Sequence, residues 1–151
     1  MKISEILKKE CIRIPLQATD KTGAITELVD LLHAHEHFTE RDDVLAAIIA
    51  RENTRSTGIG QGLAVPHGKT RGCRQLTMAV GKPASLIDFG SPDGFPCGFI
   101  VLLTSPIDKT GPHIQALAGV SRLWRADDFR RAVSEAGTAD ELLAAVRKFE
   151  S

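Results

Sequence analysis

The order of elements in this 151-residue chain predicts an α/β fold, a mixed, roughly five-stranded sheet flanked by helices on both faces. Three observations predict it. Helical periodicity dominates both ends of the chain. Short alternating or apolar runs, bounded by glycine and proline, lie between the helices. Residues 98–104 (Gly-Phe-Ile-Val-Leu-Leu-Thr) have the apolar character of a strand covered on both faces. The length suits one domain over 1–151, with a core that needs neither disulfide nor metal.

Each element follows in order. Residues 3–9 have a helical pattern. Residues 11–16 alternate and form a strand, which Pro15 places at an edge or an end. Asp20 caps a helix to about residue 35, with Ile25, Leu28, Val29 and Leu32 on its apolar face. Thr39 caps the next helix, over about 40–52, burying Val44, Leu45, Ile48 and Ile49. Residues 56–68 hold four glycines and one proline, so they form loop or short strand. Residues 76–80 form a strand that ends at Gly81-Lys82-Pro83. Ser91-Pro92-Asp93-Gly94 is a turn. Gly111-Pro112 opens a helix over about 112–124, with proline in the first turn where its missing N–H costs nothing. A further helix spans 127–136 and stops at Gly137. Thr138 and Glu141 form a capping box for a last helix to about 149.

Composition excludes several functions. Lys+Arg and Asp+Glu are both 19, so no basic footprint for nucleic acid exists. With no Tyr and one Trp, a base-stacking platform is excluded. The longest apolar run, residues 44–50, is far short of the ~20 residues that span a bilayer. Residues 1–5 lack a signal-peptide apolar region, so the chain is expected to be cytoplasmic, without stable membrane insertion. Cys11, Cys73 and Cys97 form no Cys-x-x-Cys and are expected as buried thiols.

Two motifs fail on inspection. Gly62 and Gly68-Lys69-Thr70 imitate a phosphate-binding loop, but five residues separate the glycines where four are needed, and no amphipathic helix follows. His33, His35 and His37 imitate a metal tract. They are better placed at a helix C-terminus, where an imidazolium complements the dipole; no metal or cofactor is expected.

His67 and His113 stand apart. His67 follows the short apolar run 63–65 and sits between Pro66 and Gly68, where a small neighbour leaves the ring accessible. His113 lies at a helix N-terminus, whose N–H groups favour an anion. A neutral imidazole is a competent nucleophile toward phosphorus, and a second imidazole can support it. Arg51, Arg55 and Lys69 could neutralise phosphoryl oxygens.

The stretch Arg51-Glu52-Asn-Thr-Arg55-Ser56-Thr57-Gly58-Ile59-Gly60-Gln-Gly62-Leu-Ala-Val-Pro66-His67-Gly68-Lys69 resembles a known family. It is similar to the enzyme IIA domain of the fructose/mannitol type in the bacterial phosphoenolpyruvate:sugar phosphotransferase system. That family includes the stand-alone nitrogen-regulatory enzyme IIA. The similarity continues through Glu10-Cys11, Ile87-Asp88-Phe89, Asp93-Gly94, His113 with Leu117-Ala118, and Asp140-Glu141-Leu142. Cys97 and Ile114 depart from the usual residues conservatively.

The resemblance implies roles. His67 takes the phosphoryl group on Nε2, His113 supports it, and Arg51 lies near the transferred group; catalysis is by these three, with no cofactor and no metal. The donor is phosphorylated HPr or a paralogue. The acceptor is a IIB cysteine in sugar transport, or a regulatory target protein responds to the phosphorylation state. The absence of an attached IIB or IIC segment leans toward nitrogen regulation. The alternatives are a sugar-transport enzyme IIA with a separate IIB, and a non-enzymatic regulatory module. Leu63 and Val65 are expected to buttress the site beneath an apolar rim that receives HPr.

Overall fold

The computed structural model describes residues 2–35, 37, 38 and 40–150. In chain order the elements are α1 (Ile3–Ile6), β1 (Leu7–Leu16), α2 (Lys21–Ala34), α3 (Arg41–Thr54), β2 (Gly58–Gly60), β3 (Leu63–Ala64), β4 (His67–Lys69), β5 (Thr77–Pro83), β6 (Phe99–Ser105), α4 (Thr110–Trp124), α5 (Asp127–Glu135) and α6 (Ala139–Phe149). Together the strands make one mixed sheet with the path β1-β5-β6-β3-β2, and β4 also pairs with β6. Pairing is parallel for β1/β5, β3/β6 and β4/β6, and antiparallel for β5/β6 and β2/β3.

Every residue of β6 is buried, and its side chains divide strictly by parity, as the strand period of two requires. Phe99, Val101 and Leu103 pack into one cluster with Met78, Val80 and the apolar faces of α4, α5 and α6. Ile100 and Leu102 pack into the opposite cluster with Ala79, Phe89 and the apolar faces of α2 and α3. Helices therefore cover both faces of the sheet, as the unbroken apolar run of β6 predicts. On the first face an aromatic group closes the core. Phe99 stacks on Trp124 at 5.1 Å, and Phe129 meets both edge-on, at 6.5 and 6.0 Å.

Two helix starts match their sequence signals. Asp20 accepts the Gly23 N–H at 2.8 Å, and Thr138 accepts the Glu141 N–H at 3.1 Å. The Glu141 carboxylate accepts from the Thr138 hydroxyl, also at 3.1 Å. The expected Thr39 cap lies outside the described residues. Of the face expected for α3, Val44 and Ile48 are buried, while Leu45 and Ile49 are partly buried against the same cluster. The turn at Ser91 closes through the Gly94 N–H to the Ser91 carbonyl, 3.0 Å, with Gly94 at φ 76°.

Three expectations shift. The helix expected over 3–9 stops at Ile6, because residues from Leu7 onward pair with β5, beginning at Leu7 opposite Met78. Sheet pairing overrides the local pattern, and Lys8, Lys9 and Glu10 lie exposed on this edge strand. The strand expected over 76–80 runs on through Gly81, Lys82 and Pro83, because β1 continues beside it. Of the three histidines expected at a helix C-terminus, only His33 lies within α2, which ends at Ala34 with His35 as its C-cap. His33 donates from Nδ1 to the Phe38 carbonyl at 3.2 Å, while His37 Nε2 meets the Cys11 thiol at 3.3 Å. Cys11, Cys73 and Cys97 are all free and buried.

Replacing Phe129, 2% exposed, by alanine removes the ring that joins Phe99, Trp124 and Phe149. Urea denaturation should show a loss of about 3–5 kcal/mol. A loss under about 1 kcal/mol would mean that the aromatic group does not anchor this face.

Candidate active site

His67 opens β4, opposite Leu103 of β6. The Leu103 N–H donates to the Pro66 carbonyl at 3.0 Å, so the backbone on the N-terminal side of His67 is locked to the central strand. Gly68, next in line, is buried. A Cβ there would stand 3.1 Å from Ile48 Cγ1 and 3.2 Å from Ile48 N. The glycine therefore lets β4 approach α3 closely, rather than clearing space for a reacting group as expected.

The His67 ring is half-buried, and its Nδ1 lies 2.7 Å from the Val65 carbonyl oxygen. A carbonyl can only accept, so the neutral ring carries its proton on Nδ1 and its lone pair on Nε2. The Val65 N–H is itself tied to the Thr57 carbonyl at 3.1 Å. Thr57 is held in turn by Glu52, a buried carboxylate that accepts from the Thr57 N–H (2.9 Å), the Thr57 hydroxyl and Lys21 Nζ (3.1 Å). A hydrogen-bonded chain thus runs from the end of α3 to the histidine.

Beside His67 is a cavity of about 420 Å³ whose lining includes Arg51, Arg55, Thr57, Ile59 and Leu117. Arg51 sits in the last turn of α3, where its Nη1 donates to the Arg55 carbonyl at 2.7 Å. Arg55 is exposed and faces the same cavity. Lys69 is exposed on β4, its Nζ 3.3 Å from the Thr110 hydroxyl.

His113 is buried on α4, its ring centre 5.4 Å from that of His67 and tilted by 59°. Its backbone N–H already donates to the Lys109 carbonyl at 3.2 Å. That amide cannot serve an anion as the helix-terminus reading expected; the ring is what reaches the site. Its Nδ1 lies 2.6 Å from Ser105 Oγ.

Burial pushes the His67 pKa below the ordinary histidine value, and the Arg51 charge adds to this against the opposing bond to Val65. Burial, with the neighbouring His67 and Lys69 charges, pushes His113 down to about 4. Both rings are therefore neutral near pH 7. The site combines one open imidazole lone pair, a second neutral imidazole and cationic side chains around a small cavity. That arrangement suits an anionic, transferable group.

The family model for "Phosphoenolpyruvate-dependent sugar phosphotransferase system, EIIA 2" matches residues 5–149. The chain belongs to this family. The IIA chain is 33% identical over 147 residues to the fructose-specific EIIA component of Haloferax volcanii, covering 95% of itself and 96% of that protein. It is 29% identical over 150 residues to the fructose-specific EIIABC component of Bacillus subtilis, spanning 99% of itself but 24% of that protein. Among solved structures, the nitrogen regulatory protein IIA-Ntr of Neisseria meningitidis superposes with a TM-score of 0.88 at 30% identity, over 95% of this chain and 98% of that one. Domains of this family are phosphotransferase components, which gives the IIA chain a general role in phosphoryl transfer.

Of the residues expected from sequence, His67 and Arg51 line one cavity and His113 packs against His67. Pro92 and Ser121 also line it, and nothing in their local sequence signals this. Leu63 and Val65 are both buried, and Val65 lines the cavity. Among the described residues, no helix is long and apolar enough to cross a membrane.

The His113 environment yields a signed pH effect. A histidine at about 4 when folded and 6.5 when unfolded binds fewer protons in the folded state between those values. Its contribution to stability is full above about pH 6.5 and is lost as pH falls toward 4, by about 3 kcal/mol in total. NMR titration should place the His113 midpoint near 4. A midpoint near 6.5 would overturn the buried, neutral assignment.

Proposed function

We propose that the IIA chain is a phosphocarrier that accepts a phosphoryl group on His67 Nε2 from phosphorylated HPr or a paralogue. The observation that carries this reading is the bond from His67 Nδ1 to the Val65 carbonyl. It leaves Nε2 as the lone-pair atom beside a cavity lined by Arg51. The neutral ring attacks phosphorus in line, and the donor's P–N bond breaks with its electron pair leaving on the donor imidazole. Positive charge develops on the His67 ring, and the bond from Nδ1–H to Val65 strengthens with it. Arg51 balances the phosphoryl oxygens, and His113 borders them from the second side. The donor already carries an activated phosphoryl group, so positioning and electrostatics supply the acceleration.

The docking face is the surface around the two histidines. Ile59 is 48% exposed on the cavity wall, and Ile114, beside His113, is 58% exposed. Large apolar side chains at this exposure, among Arg51, Arg55 and Lys69, make a rim with an apolar and a cationic component. That pairing suits a protein donor carrying a phosphoryl group.

As to type, we favour the nitrogen-regulatory branch, in which the phosphorylation state is read by a target protein. The TM-score of 0.88 to IIA-Ntr of Neisseria meningitidis supports this reading. The 33% identity to the fructose-specific component of Haloferax volcanii supports the second reading, donation to a IIB cysteine in sugar uptake.

Intact-mass measurement after incubation with phosphoenolpyruvate, enzyme I and HPr should show a single acid-labile phosphoryl gain. His67→Ala should abolish it, and Arg51→Ala should slow it by about 10²-fold. Wild-type protein left unmodified by fully phosphorylated HPr and by its phosphorylated paralogue alike would refute the carrier role and leave a non-enzymatic module. The phosphorylated protein, mixed with a fructose-type IIB domain, should retain its label on the minute timescale if it is regulatory. Rapid transfer to the IIB cysteine would establish the sugar-uptake reading instead.

A further inference from the structure

We propose that Ser105 is a positioning residue for phosphoryl transfer. Its hydroxyl donates to His113 Nδ1, so that the His113 proton resides on Nε2, where it can donate to the phosphoryl group on His67. The proposal rests on the carrier reading for its use, but its geometry stands independently.

The argument begins with proton accounting. Ser105 ends β6 with a relative exposure of 0%. Its Oγ lies 2.6 Å from His113 Nδ1 and has no other hydrogen-bond partner among the described residues. A hydroxyl has one proton to give and two lone pairs to offer. If His113 donated from Nδ1, the Ser105 proton would have no acceptor in a dry interior. If Ser105 donates, the proton is satisfied and only oxygen lone pairs are left over. An unmet buried donor is the costlier defect, so the hydroxyl donates.

The His113 ring must then be neutral, since a protonated Nδ1 could not accept. Burial, with the His67 and Lys69 charges nearby, depresses its basicity in the required direction. The remaining nitrogen, Nε2, carries the proton. Every fully buried side-chain nitrogen and oxygen among the described residues has a hydrogen-bond partner, yet Nε2 of His113 has none among those residues. That atom is therefore not sealed in the core. It belongs to a ring whose centre is 5.4 Å from that of His67.

The two histidines consequently hold opposite tautomers. His67 gives its Nδ1 proton to a carbonyl and offers a lone pair at Nε2. His113 takes a proton at Nδ1 from a hydroxyl and offers N–H at Nε2. One is matched to phosphorus, the other to a phosphoryl oxygen. With the reverse tautomer, His113 would turn a lone pair toward an anionic oxygen. The serine backbone is fixed as well, because its carbonyl accepts the Thr70 N–H at 3.0 Å.

Long-range ¹H–¹⁵N correlation spectra of the unphosphorylated protein at pH 7.5 test the tautomer directly. Wild type should show His113 protonated at Nε2, with Nδ1 unprotonated and hydrogen-bonded. Ser105→Ala should lose the hydrogen-bond shift at Nδ1 and populate both tautomers. It should also slow phosphoryl acceptance from HPr by about tenfold, as expected for one hydrogen bond. Ser105→Thr, which keeps the hydroxyl, should retain the wild-type ring signals and most of the rate. A wild-type spectrum with the His113 proton on Nδ1 would overturn the proposal, and decides it even if Ser105→Ala fails to fold. Unchanged ring shifts and rate in a folded Ser105→Ala would overturn it too. Failure of the carrier reading has a separate signature, no phosphoryl gain on wild type.

Discussion

The parallel pairing of β4 with β6 is the constraint on which the rest of the site depends. Three residues, His67 to Lys69, would not hold an extended conformation alone. Their register opposite Leu103, Thr104 and Ser105 brings His67 to the strand whose end faces α4. The same pairing aligns Lys69 with Ser105, and Ser105 bonds to His113. One short ladder thus sets the position of the nucleophile candidate, its neighbouring imidazole and a cation near the latter. β6 can serve as this reference because both of its faces are packed, one against α2 and α3, the other against α4, α5 and α6. A strand clamped from both sides moves little, and a site built on it inherits that rigidity.

Electrostatics at the site follow from partial burial more than from any single charge. Two imidazoles are half-buried or buried; beyond burial itself, Arg51 disfavours protonation of His67 and Lys69 that of His113. The result is a site that is cationic through its guanidinium and ammonium groups but neutral at its histidines. That separation of roles suits acceptance of a phosphoryl group, since a protonated imidazole would have no lone pair to offer. Glu52 is the counterweight. Buried and bonded to Lys21 and Thr57, it spends its charge on holding the loop after α3 rather than on neutralising Arg51.

How much of this was legible in the sequence varied with the range of the forces involved. α2 and α6 could be placed from their caps, because Asp20 and Thr138 act on amides three residues away. β6 could be recognised because seven consecutive buried residues leave no polar face. The start of β1 could not. Lys8, Lys9 and Glu10 break the alternation of an ordinary strand, and only their place at the edge beside β5 makes them extended. β4 escaped for the same reason. Its partner strand begins about thirty residues later, and no local signal announces a three-residue ladder. Among site residues, His67, His113 and Arg51 stood out by pattern and resemblance. Ser105, Pro92 and Ser121 did not, since each enters the site only through contacts distant in sequence.

The sequence by itself determined the fold class and the family and singled out the two histidines and the arginine as candidates, because these rest on periodicity, capping chemistry and a resemblance carried by one long motif and by the segment around His113. The resemblance implied Nε2 of His67, but tertiary structure alone supplied the cause, a single bond from Nδ1 to the Val65 carbonyl. It alone decided that Gly68 serves helix–strand approach, and that His113 reaches the site through its ring while its amide is tied into α4. The physical reason is common to all three. Hydrogen-bond direction and close approach depend on where the chain returns in space, and a linear pattern of residues carries that only where the interacting groups are neighbours.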